Sequence, residues 1–304
     1  MPTPSVIAPG NYDGVHLGHQ ALLRSATTFG QANGLATHVL TFDPHPAAAL
    51  GDTAKPVLTL HPRRAELAQA AGADRVLVQH FTPDFAALTP EAFIETLLAR
   101  GARALVVGPD FRFGNMRAGG VELLQQLGQA RGFTVLIEPP VKLDGERVSS
   151  SAIRKAVSVG DVRTAAIMLG RVHEVQGQVV EGFRRGRTIG FPTANVAPGP
   201  VLPPADGVYA VVVRELGVPE RRVHLGVANL GTRPTFAAGR SVEVHMFDFD
   251  RDIYGRELRV GFVERIRGEQ RFSGIDELRA QIARDSERAR ELLSHMDPEL
   301  SRLL

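Results

Sequence analysis

Residues 5–19 read SVIAPGNYDGVHLGH, the stretch that gives the strongest structural signal in this 304-residue chain. Ser5 to Ala8 form a short apolar strand, and a helical pattern begins near Leu17. His16 and His19 are three residues apart, which places both imidazoles on one face of the first helical turn. A helix N-terminus offers unpaired N–H groups and a positive dipole end, so the stretch suits a nucleotide triphosphate attacked at its α-phosphate. A turn with two surface histidines is the simpler alternative.

The composition narrows the class of protein. The formal net charge is +2 and no block of five or six like charges occurs, so an arm that binds nucleic acid is not expected. The chain has no cysteine, which excludes disulfides, thiol catalysis and thiolate metal sites. Its apolar runs are too short to span a membrane, and its first residues lack the features of a secretion signal. We therefore expect a cytoplasmic protein whose partners are small molecules rather than nucleic acid or membrane.

The first 170 residues alternate between strand and helix patterns. This alternation predicts an α/β domain with a mostly parallel, doubly wound sheet, which binds ligands at the carboxyl ends of its strands. Thr89 is the expected N-cap of one helix, and Gly101 its stop. The predicted strands are 5–8, 35–42, 75–81, 104–107 and 133–137, and the predicted helices begin near 17 and span 63–71, 90–100, 121–131, 151–159 and 162–169.

The pattern changes near Gly170 to short strands separated by turn signals. Six strands and one closing helix predict a small antiparallel β-barrel. The predicted strands are 175–181, 194–196, 207–215, 222–228, 241–249 and 257–263, and the helix is 275–294. We therefore predict one domain at 1–170 and a second at 171–304, each long enough to bury its own core.

Two further motifs of the first domain follow predicted strands. TFDPHP occupies 41–46, and GPDFRFG occupies 108–114. The second motif places an arginine between two phenylalanines, which suits an aromatic ligand held between planar groups. Packing of both rings in the core is the more common outcome for such a loop. The candidate ligand contacts are Asp43, His45, Asp110, Phe111 and Phe113.

A serine-rich stretch, VSSSAIR at 148–154, opens a predicted helix. Serine is a good N-cap, and capping alone explains these residues equally well. The hydroxyls, the helix N–H groups and the following arginine also suit the β- and γ-phosphates of ATP. The candidate residues are Ser149, Ser150 and Arg154.

The second domain opens with a glycine-rich stretch, GFRRGRTIGFPTAN at 182–195. Such a loop can wrap phosphates with its backbone N–H groups, although a β-turn with a structural asparagine is an alternative. Thr193 and Asn195 point to one face of a strand, where their neutral oxygens suit a Mg²⁺ already bound to ATP. No Gly-x-x-x-x-Gly-Lys-(Ser/Thr) loop occurs, so a kinase here is of another type. The nucleotide-binding candidates are Gly182, Gly186, Arg187, Gly190, Phe191 and Pro192.

Glu243 is the carboxylate of interest in the second domain. It alternates with apolar residues along a predicted strand, and it shares its face with Phe247 and Phe249. A carboxylate in such a strand most often faces solvent, but the two phenylalanines indicate a face that is not wholly polar.

The first-domain motifs, in this order, resemble the adenylyltransferase module of the bacterial bifunctional riboflavin kinase/FAD synthetase family. His-x-Gly-His at a strand-to-helix turn is itself similar to the nucleotidylyltransferase signature. The family carries Phe where Tyr12 stands and Thr where Ser151 stands, and both changes keep the relevant chemistry. In the second domain, 186–195 resembles the family's riboflavin kinase signature, and segments 208–210, 226–236 and 242–245 follow in family order. The segment resembling the one that flanks the flavin contains Arg267, Glu269, Arg271 and Phe272.

The resemblance implies two ATP-dependent reactions. In the barrel, Glu243 takes the proton of the riboflavin ribityl 5′-hydroxyl, whose oxygen attacks the γ-phosphate of MgATP to give FMN. In the first domain, the FMN phosphate attacks the α-phosphate of a second ATP and gives FAD and pyrophosphate. His16 and His19 stabilise charge there, while Ser150 and Arg154 hold the pyrophosphate. Mg²⁺ is expected at both sites. The other residues implied in binding nucleotide or flavin are Gly10, Asn11, Asp13, Gly18, Asp43, His45, Asp110, Phe111, Phe113, Arg271 and Phe272.

Three alternative functions are weaker. A class I aminoacyl-tRNA synthetase shares the His-x-Gly-His turn but needs a lysine-rich second signature, which 149–155 does not provide. A single-activity nucleotidylyltransferase leaves the barrel unexplained. A non-catalytic flavin sensor is expected to lack the histidine pair or Glu243. The sequence does not fix an oligomeric state.

Overall fold

The computed structural model describes residues 2–49, 51, 56–181, 190–219, 222–232, 240–302 and 304. The chain divides into two compact units, Met1–Ser149 and Ser150–Leu304. Among the described residues, no helix combines the length and the apolar character needed to cross a membrane.

The first unit is built on a five-stranded sheet in which all the neighbouring strands are parallel. Its strands are β1 (Ser5–Pro9), β2 (Ala36–Asp43), β3 (Arg75–His80), β4 (Ala102–Val107) and β5 (Thr134–Ile137), in the order β3-β2-β1-β4-β5. The order reverses beside β1, since the chain first builds β2 and β3 on one side of it and then β4 and β5 on the other. Doubly wound sheets bind ligands at the carboxyl ends of the strands at such a reversal. The histidine-containing turn follows β1 and therefore lies there.

The helices of the first unit follow from local signals. They are α1 (Leu17–Asn33), α2 (Pro46–Ala49), α3 (His61–Ala70), α4 (Pro83–Ala86), α5 (Pro90–Ala99) and α6 (Val121–Arg131). Thr89 caps α5 as predicted, because its hydroxyl accepts a hydrogen bond from the Ala92 N–H at 3.2 Å. Helices and sheet enclose an apolar core that includes Ile7, Leu40 and Leu105. The predicted α/β architecture is confirmed.

Some short elements were not predicted. They are α2, α4, a 3₁₀ turn at Asn115–Arg117, and a small hairpin of β6 (Lys142–Leu143) and β7 (Glu146–Arg147). Each is too short to show a hydrophobic period, which is the main signal for a helix or a strand.

The second unit begins with two helices and continues as a closed barrel. The helices are α7 (Ser150–Ser158) and α8 (Val162–Leu169). The strands are β8 (His173–Val180), β9 (Ala194–Pro198), β10 (Gly207–Glu215), β11 (Val223–Thr232), β12 (Arg240–Met246) and β13 (Glu257–Arg267), closed in the order β10-β11-β12-β9-β8-β13. Every neighbouring pair is antiparallel, as predicted. The chain then forms α9 (Ile275–Ser294) and α10 (Pro298–Ser301).

Strand β12 is shorter than predicted. It ends at Met246, whereas the apolar alternation extends to Phe249. The chain turns at Asp248, whose φ of 55° is incompatible with an extended strand. Phe247 is buried between the barrel and α9, so it does not share an open face with Glu243.

The division between the two units falls after Ser149 rather than near Gly170. Helices α7 and α8 pack with the barrel unit. The Val157 carbonyl accepts a hydrogen bond from the Ala205 N–H at 3.3 Å, and a side chain at Gly160 would meet the Tyr209 hydroxyl at 2.8 Å. The boundary between the functional domains near Gly170 stays a prediction.

Candidate active sites

His16 and His19 form a stacked pair at the N-terminus of α1. The ring centroids are 3.7 Å apart with an interplanar angle of 16°. His16 is the N-cap residue, and its Nδ1 accepts a hydrogen bond from the His19 N–H at 3.4 Å. In a neutral His16 the proton is therefore on Nε2, which leaves that nitrogen as a donor. Gly18 allows this arrangement, because a side chain there would come within 3.1 Å of the His16 ring.

The turn before the pair holds an unusual backbone. Val15 has a φ of 41° and Tyr12 a φ of 52°. A β-branched residue is rarely found at positive φ, and such strain is retained where the surroundings enforce it. Here the Val15 carbonyl accepts a hydrogen bond from the Gln20 side chain at 3.0 Å, and the Val15 N–H donates to the Tyr12 carbonyl at 3.0 Å. The strained turn fixes where His16 begins the helix.

His19 is held in its neutral form. Burial, followed by the charges of His16 and Arg64, keeps the pKa of His19 well below its ordinary value. Tyr12 packs on the ring at a centroid distance of 4.9 Å, and burial also raises the pKa of that phenol. No hydrogen-bond partner within the described chain reaches the buried His19 Nδ1. Any stabilisation of phosphate charge by His19 is therefore expected from a neutral imidazole that donates a hydrogen bond.

Three candidate residues of the turn anchor it to neighbouring segments. The Gly10 N–H donates to the Leu40 carbonyl at 2.9 Å, and the Asn11 carbonyl accepts from the Thr41 hydroxyl at 3.2 Å. The Asp13 carboxylate is buried and accepts hydrogen bonds from the N–H groups of 58 and 59 at 2.9 to 3.1 Å. These contacts fix the turn, and direct contact of the three residues with a nucleotide stays a prediction.

The motif after β2 places Asp43 at an exposed position and His45 at a half-buried one. The Asp43 carbonyl accepts hydrogen bonds from the Phe81 N–H at 3.1 Å and from the His80 ring at 3.0 Å. The Asp43 carboxylate contributes to the electrostatic environment of Arg64, a buried cation on α3. The β2 motif therefore borders the same region as the histidine pair.

The motif after β4 is only partly open to a ligand. The Phe111 and Phe113 rings stack on each other at 5.5 Å and 16°. Phe113 is only 4% exposed and packs on Phe93 in the core, so its predicted contact with a substrate would be indirect, through Phe111. Asp110 is exposed and accepts a hydrogen bond from Arg147 at 2.9 Å, which lowers the pKa of its carboxyl. Phe113 therefore packs in the core, as the alternative for this loop had it, and only Phe111 remains open to a ligand.

The serine motif lies at the start of α7. Ser149 ends the first unit, Ser150 is the first residue of α7, and Arg154 lies one turn later. All three side chains are half-buried. Residues four apart lie on the same face of a helix, so Ser150 and Arg154 can approach one anion together.

The barrel aligns a carboxylate with two amides. Glu243 on β12 lies directly opposite Asn195 on β9 and Asn229 on β11. Directly opposite residues of antiparallel strands project to the same face with Cβ atoms about 4.5–5.5 Å apart. Asn195 is buried, at 7% exposed, while Glu243 is half-buried. The row therefore presents several oxygen atoms along one line of the barrel surface.

Two cavities lie next to this part of the barrel, and Glu243 lines only the first. The first has a volume of about 600 Å³ and contains Glu243 together with the predicted Phe191, Arg271 and Phe272. The second has a volume of about 560 Å³ and is bordered by Pro192 and Asp250. Thr193 lines both cavities, and the Pro192 carbonyl and Phe191 ring contact His245. Gly190 directly precedes Phe191 in the chain, and the predicted Gly182, Gly186 and Arg187 lie outside the described residues.

Some residues of these sites were missed by the sequence analysis. Asp285 of α9 is 4% exposed, lines the 600 Å³ cavity and binds Arg267 through hydrogen bonds of 2.8 to 3.1 Å. The Arg267 guanidinium in turn lies 5.7 Å from the Phe272 ring centroid. An aspartate in a charge-rich helix gives no sequence signal of burial. Asn229 was visible as part of the 226–236 motif, but only the barrel register places it opposite Glu243.

The fold and the two sites define a transferase with separate modules, one in a parallel sheet and one in a barrel. The family model for FAD synthetase matches residues 1–152, and the model for riboflavin kinase matches residues 169–293. The bifunctional riboflavin kinase/FMN adenylyltransferase of Escherichia coli strain K12 is 43% identical over 297 residues, covering 96% of this chain and 94% of the relative. The corresponding Bacillus subtilis protein is 36% identical over 300 residues, covering 96% and 93%. This chain belongs to the bifunctional riboflavin kinase/FMN adenylyltransferase family.

A solved structure shares the whole fold. A crystal structure described as a macrolide-efflux protein from Streptococcus pneumoniae superposes with a TM-score of 0.86 at 32% identity, covering 98% of this chain and 96% of the other.

Proposed function

We propose that this chain converts riboflavin to FMN in its barrel and FMN to FAD at its parallel sheet, with one ATP consumed in each step. The observation that carries the proposal is the presence, in one chain, of two separate sites of different chemistry. One is a stacked imidazole pair at a helix N-terminus, and the other is a carboxylate between two amides beside two cavities. Membership of the family and both family-model matches support both activities.

In the barrel, the flavin occupies the 600 Å³ cavity and ATP the 560 Å³ cavity. This assignment is supported by Arg271 and Phe272 in the first and by Thr193 in both. Glu243 accepts the proton of the ribityl 5′-hydroxyl while the hydroxyl oxygen attacks the γ-phosphorus of ATP. The bond between the γ-phosphorus and the bridging oxygen breaks, and ADP leaves. Phosphoryl transfer depends mainly on positioning and charge neutralisation, so the two fixed cavities supply much of the catalysis.

The residues beside Glu243 fit a Mg²⁺ ion that arrives with ATP. Thr193 and the buried Asn195 offer neutral oxygens, and hard divalent cations prefer oxygen ligands. No cluster of three or more His, Asp or Glu side chains suited to a metal occurs in the described ranges. The protein would therefore hold Mg²⁺ together with the ATP phosphates, and the ion would neutralise charge on them. We place a second Mg²⁺ with the ATP of the adenylyl transfer site.

At the parallel sheet, a phosphate oxygen of FMN attacks the α-phosphorus of ATP, and pyrophosphate leaves. The FMN phosphate is already ionised, so no general base is required. His16 and His19 donate hydrogen bonds to the α-phosphate as charge develops, a role that fits the lowered pKa of His19 and the hydrogen bond that fixes the His16 ring. Ser150 and Arg154 hold the departing pyrophosphate, and Asp110 with Phe111 orients the flavin. Since both reactions draw on ATP and flavin, the proposal includes a cytoplasmic location.

Incubation of the purified full-length chain with riboflavin, ATP and Mg²⁺ is expected to give FMN first and FAD later. Chromatography of the flavins over time measures both products, and a parallel reaction started from FMN isolates the second step. A folded protein that makes neither product would refute the assignment. A protein that makes only FMN would refute the role of the parallel-sheet site.

We also propose that the kinase module works without the first domain. The residues assigned to phosphorylation all follow residue 171, so fragments that begin at Arg171 or at Ser150 are both expected to convert riboflavin to FMN. The fragment from Ser150 keeps α7 and α8, which bury Ile153, Val157 and Leu169. Removing these helices is expected to lower the melting temperature of the shorter fragment by about 5 °C or more.

Thermal unfolding and FMN formation of the two fragments test this expectation. A folded fragment from Ser150 without kinase activity would show that the kinase site needs the first domain. Equal melting temperatures would show that α7 and α8 add no stability to the barrel.

A further inference from the structure

Arg64 carries a buried positive charge beside the histidine pair. It lies in the first half of α3 and is only 4% exposed. Its Nη1 donates to the Phe42 carbonyl at 3.3 Å, near the end of β2, and its Nη2 donates to the Thr59 carbonyl at 3.1 Å, just before α3. It is also close enough to His19 for its charge to affect that ring. One guanidinium therefore links the end of β2 to the segment before α3 and acts electrostatically on His19.

The charge of Arg64 is only partly balanced. Asp13 and Asp43 favour the charged form, whereas burial, the larger effect, lowers the pKa of Arg64. Within the ranges that the structure describes, no carboxylate lies within ion-pair distance of Arg64, and no partner reaches its buried Nε. Burying a cation without an ion pair costs stability, so its presence calls for a compensating role.

The location of Arg64 indicates that role. It lies at the carboxyl end of the sheet, on the side of β1 occupied by β2, and it contacts the segment that Asp13 also fixes. The turn carrying Asp13 leads directly into His16 and α1. A positive charge placed there adds to the field of the helix N-terminus, where a triphosphate is expected to bind.

We propose that Arg64 is a positioning residue for adenylyl transfer, which anchors the segments at Phe42 and Thr59 and supplies a permanent positive charge that acts on His19. The inference rests on the function proposed above for the first unit. Because Arg64 acts through the backbone and through His19, it needs no direct contact with ATP. Electrostatic groups fixed before the substrate arrives need no reorganisation during the reaction, which makes a buried, doubly anchored guanidinium effective.

The positive charge of Arg64 favours the neutral form of His19. A permanent cation beside His19 disfavours a second positive charge on its ring, which leaves His19 as a neutral donor. Removing the charge of Arg64 should raise the pKa of His19, so that His19 becomes protonated at a higher pH. Among the residues that the structure describes, the titratable or charged groups that act on Arg64 and His19 are Tyr12, Asp13 and His16 from the turn and Asp43 from β2.

The test compares Arg64→Met and Arg64→Lys in the full-length chain, with FAD formation measured from supplied FMN. We expect Arg64→Met to lower kcat/KM for ATP by about 10- to 100-fold, a loss comparable to removing part of a preorganised electrostatic site. In the pH–rate profile of this variant for FAD formation, the acid limb should move to higher pH. Arg64→Lys keeps the charge but cannot reach both carbonyls in the same way, so it should recover at least part of the rate and keep the acid limb of the parent chain.

Arg63→Met is the matched control. Arg63 is the neighbouring residue on α3, is 9% exposed and pairs with Glu66 at 2.8 Å. Its replacement should change FAD formation less than twofold. The riboflavin kinase rate of every variant and its thermal unfolding show whether the chain is folded.

The outcomes separate this inference from the function on which it rests. If the parent chain makes no FAD from FMN, the proposed function fails. If the parent chain makes FAD and folded Arg64→Met does so at the same rate, only the role of Arg64 is wrong. A shifted acid limb in the pH–rate profile of Arg64→Lys would also overturn the role of Arg64, since that variant retains the charge. The measurement on Arg64→Lys tests the role even if Arg64→Met fails to fold.

Discussion

Replacing Glu243 by glutamine is expected to reduce FMN formation by about 10²–10⁴-fold, the usual contribution of a general base. Glutamine keeps the size of the side chain and its place opposite Asn195 and Asn229, but it cannot accept the ribityl proton. FAD formation from supplied FMN should persist at the parent rate, because that reaction uses the other module. Initial rates of both reactions, measured on one preparation, check the prediction.

Glu257→Gln provides a matched control for this substitution. Glu257 is an exposed carboxylate on β13 that accepts a hydrogen bond from Gln176 at 2.7 Å, and it borders neither cavity beside Glu243. Its replacement should leave both rates unchanged. Full kinase activity in Glu243→Gln would move the base elsewhere. Asp250 would then be the better candidate, since it lines the 560 Å³ cavity, whereas Asp248 is exposed and bound by Arg290 at 3.0 Å.

Replacing His19 by alanine is expected to reduce FAD formation by about 10²–10³-fold, the typical cost of losing a preorganised donor. FMN should accumulate from riboflavin, because the barrel reaction continues. The loss has two physical sources. The variant lacks one imidazole donor, and it also removes the ring that stacks on His16 at 3.7 Å and helps to orient it.

His19→Gln distinguishes donation from packing. A glutamine amide retains a hydrogen-bond donor but not the stacked ring, so a rate above that of His19→Ala would support donation to the phosphate. Equal rates for the two variants would assign the role of His19 to the orientation of His16. Parent-level FAD formation in His19→Ala would contradict any role for His19 in the reaction.

Local signals in the sequence determined most of the secondary structure. The bounds of α6, α8, β10 and α9 agree with the predicted ranges. These elements have a clear hydrophobic period, and two of them, α6 and α8, end at a glycine in the left-handed conformation, at Gly132 and Gly170. The order of strands and helices was enough to predict the two architectures, since few topologies are compatible with each pattern.

The sequence motifs also indicated much of the candidate sites. The His-x-Gly-His spacing predicted two imidazoles on one helical turn, and they stack as a pair. The strand pattern placed Glu243 on an antiparallel strand, where it lies. Such inferences succeed when the partners are close in sequence, because local geometry then fixes their relation.

Tertiary structure alone decided which polar residues are buried and which partners they meet. Arg64 approaches His19 from a different helix, Asp285 reaches Arg267 from α9, and the barrel register brings Asn195 and Asn229 to Glu243. The same holds for Phe113, which packs in the core although its motif resembles an open ligand loop. Pairings between residues distant in the chain depend on how the helices pack and how the strands align, and no periodicity within one segment encodes them. The sequence by itself therefore determined the elements, the two modules and the candidate site residues, while the folded chain determined the charges and contacts that surround those residues.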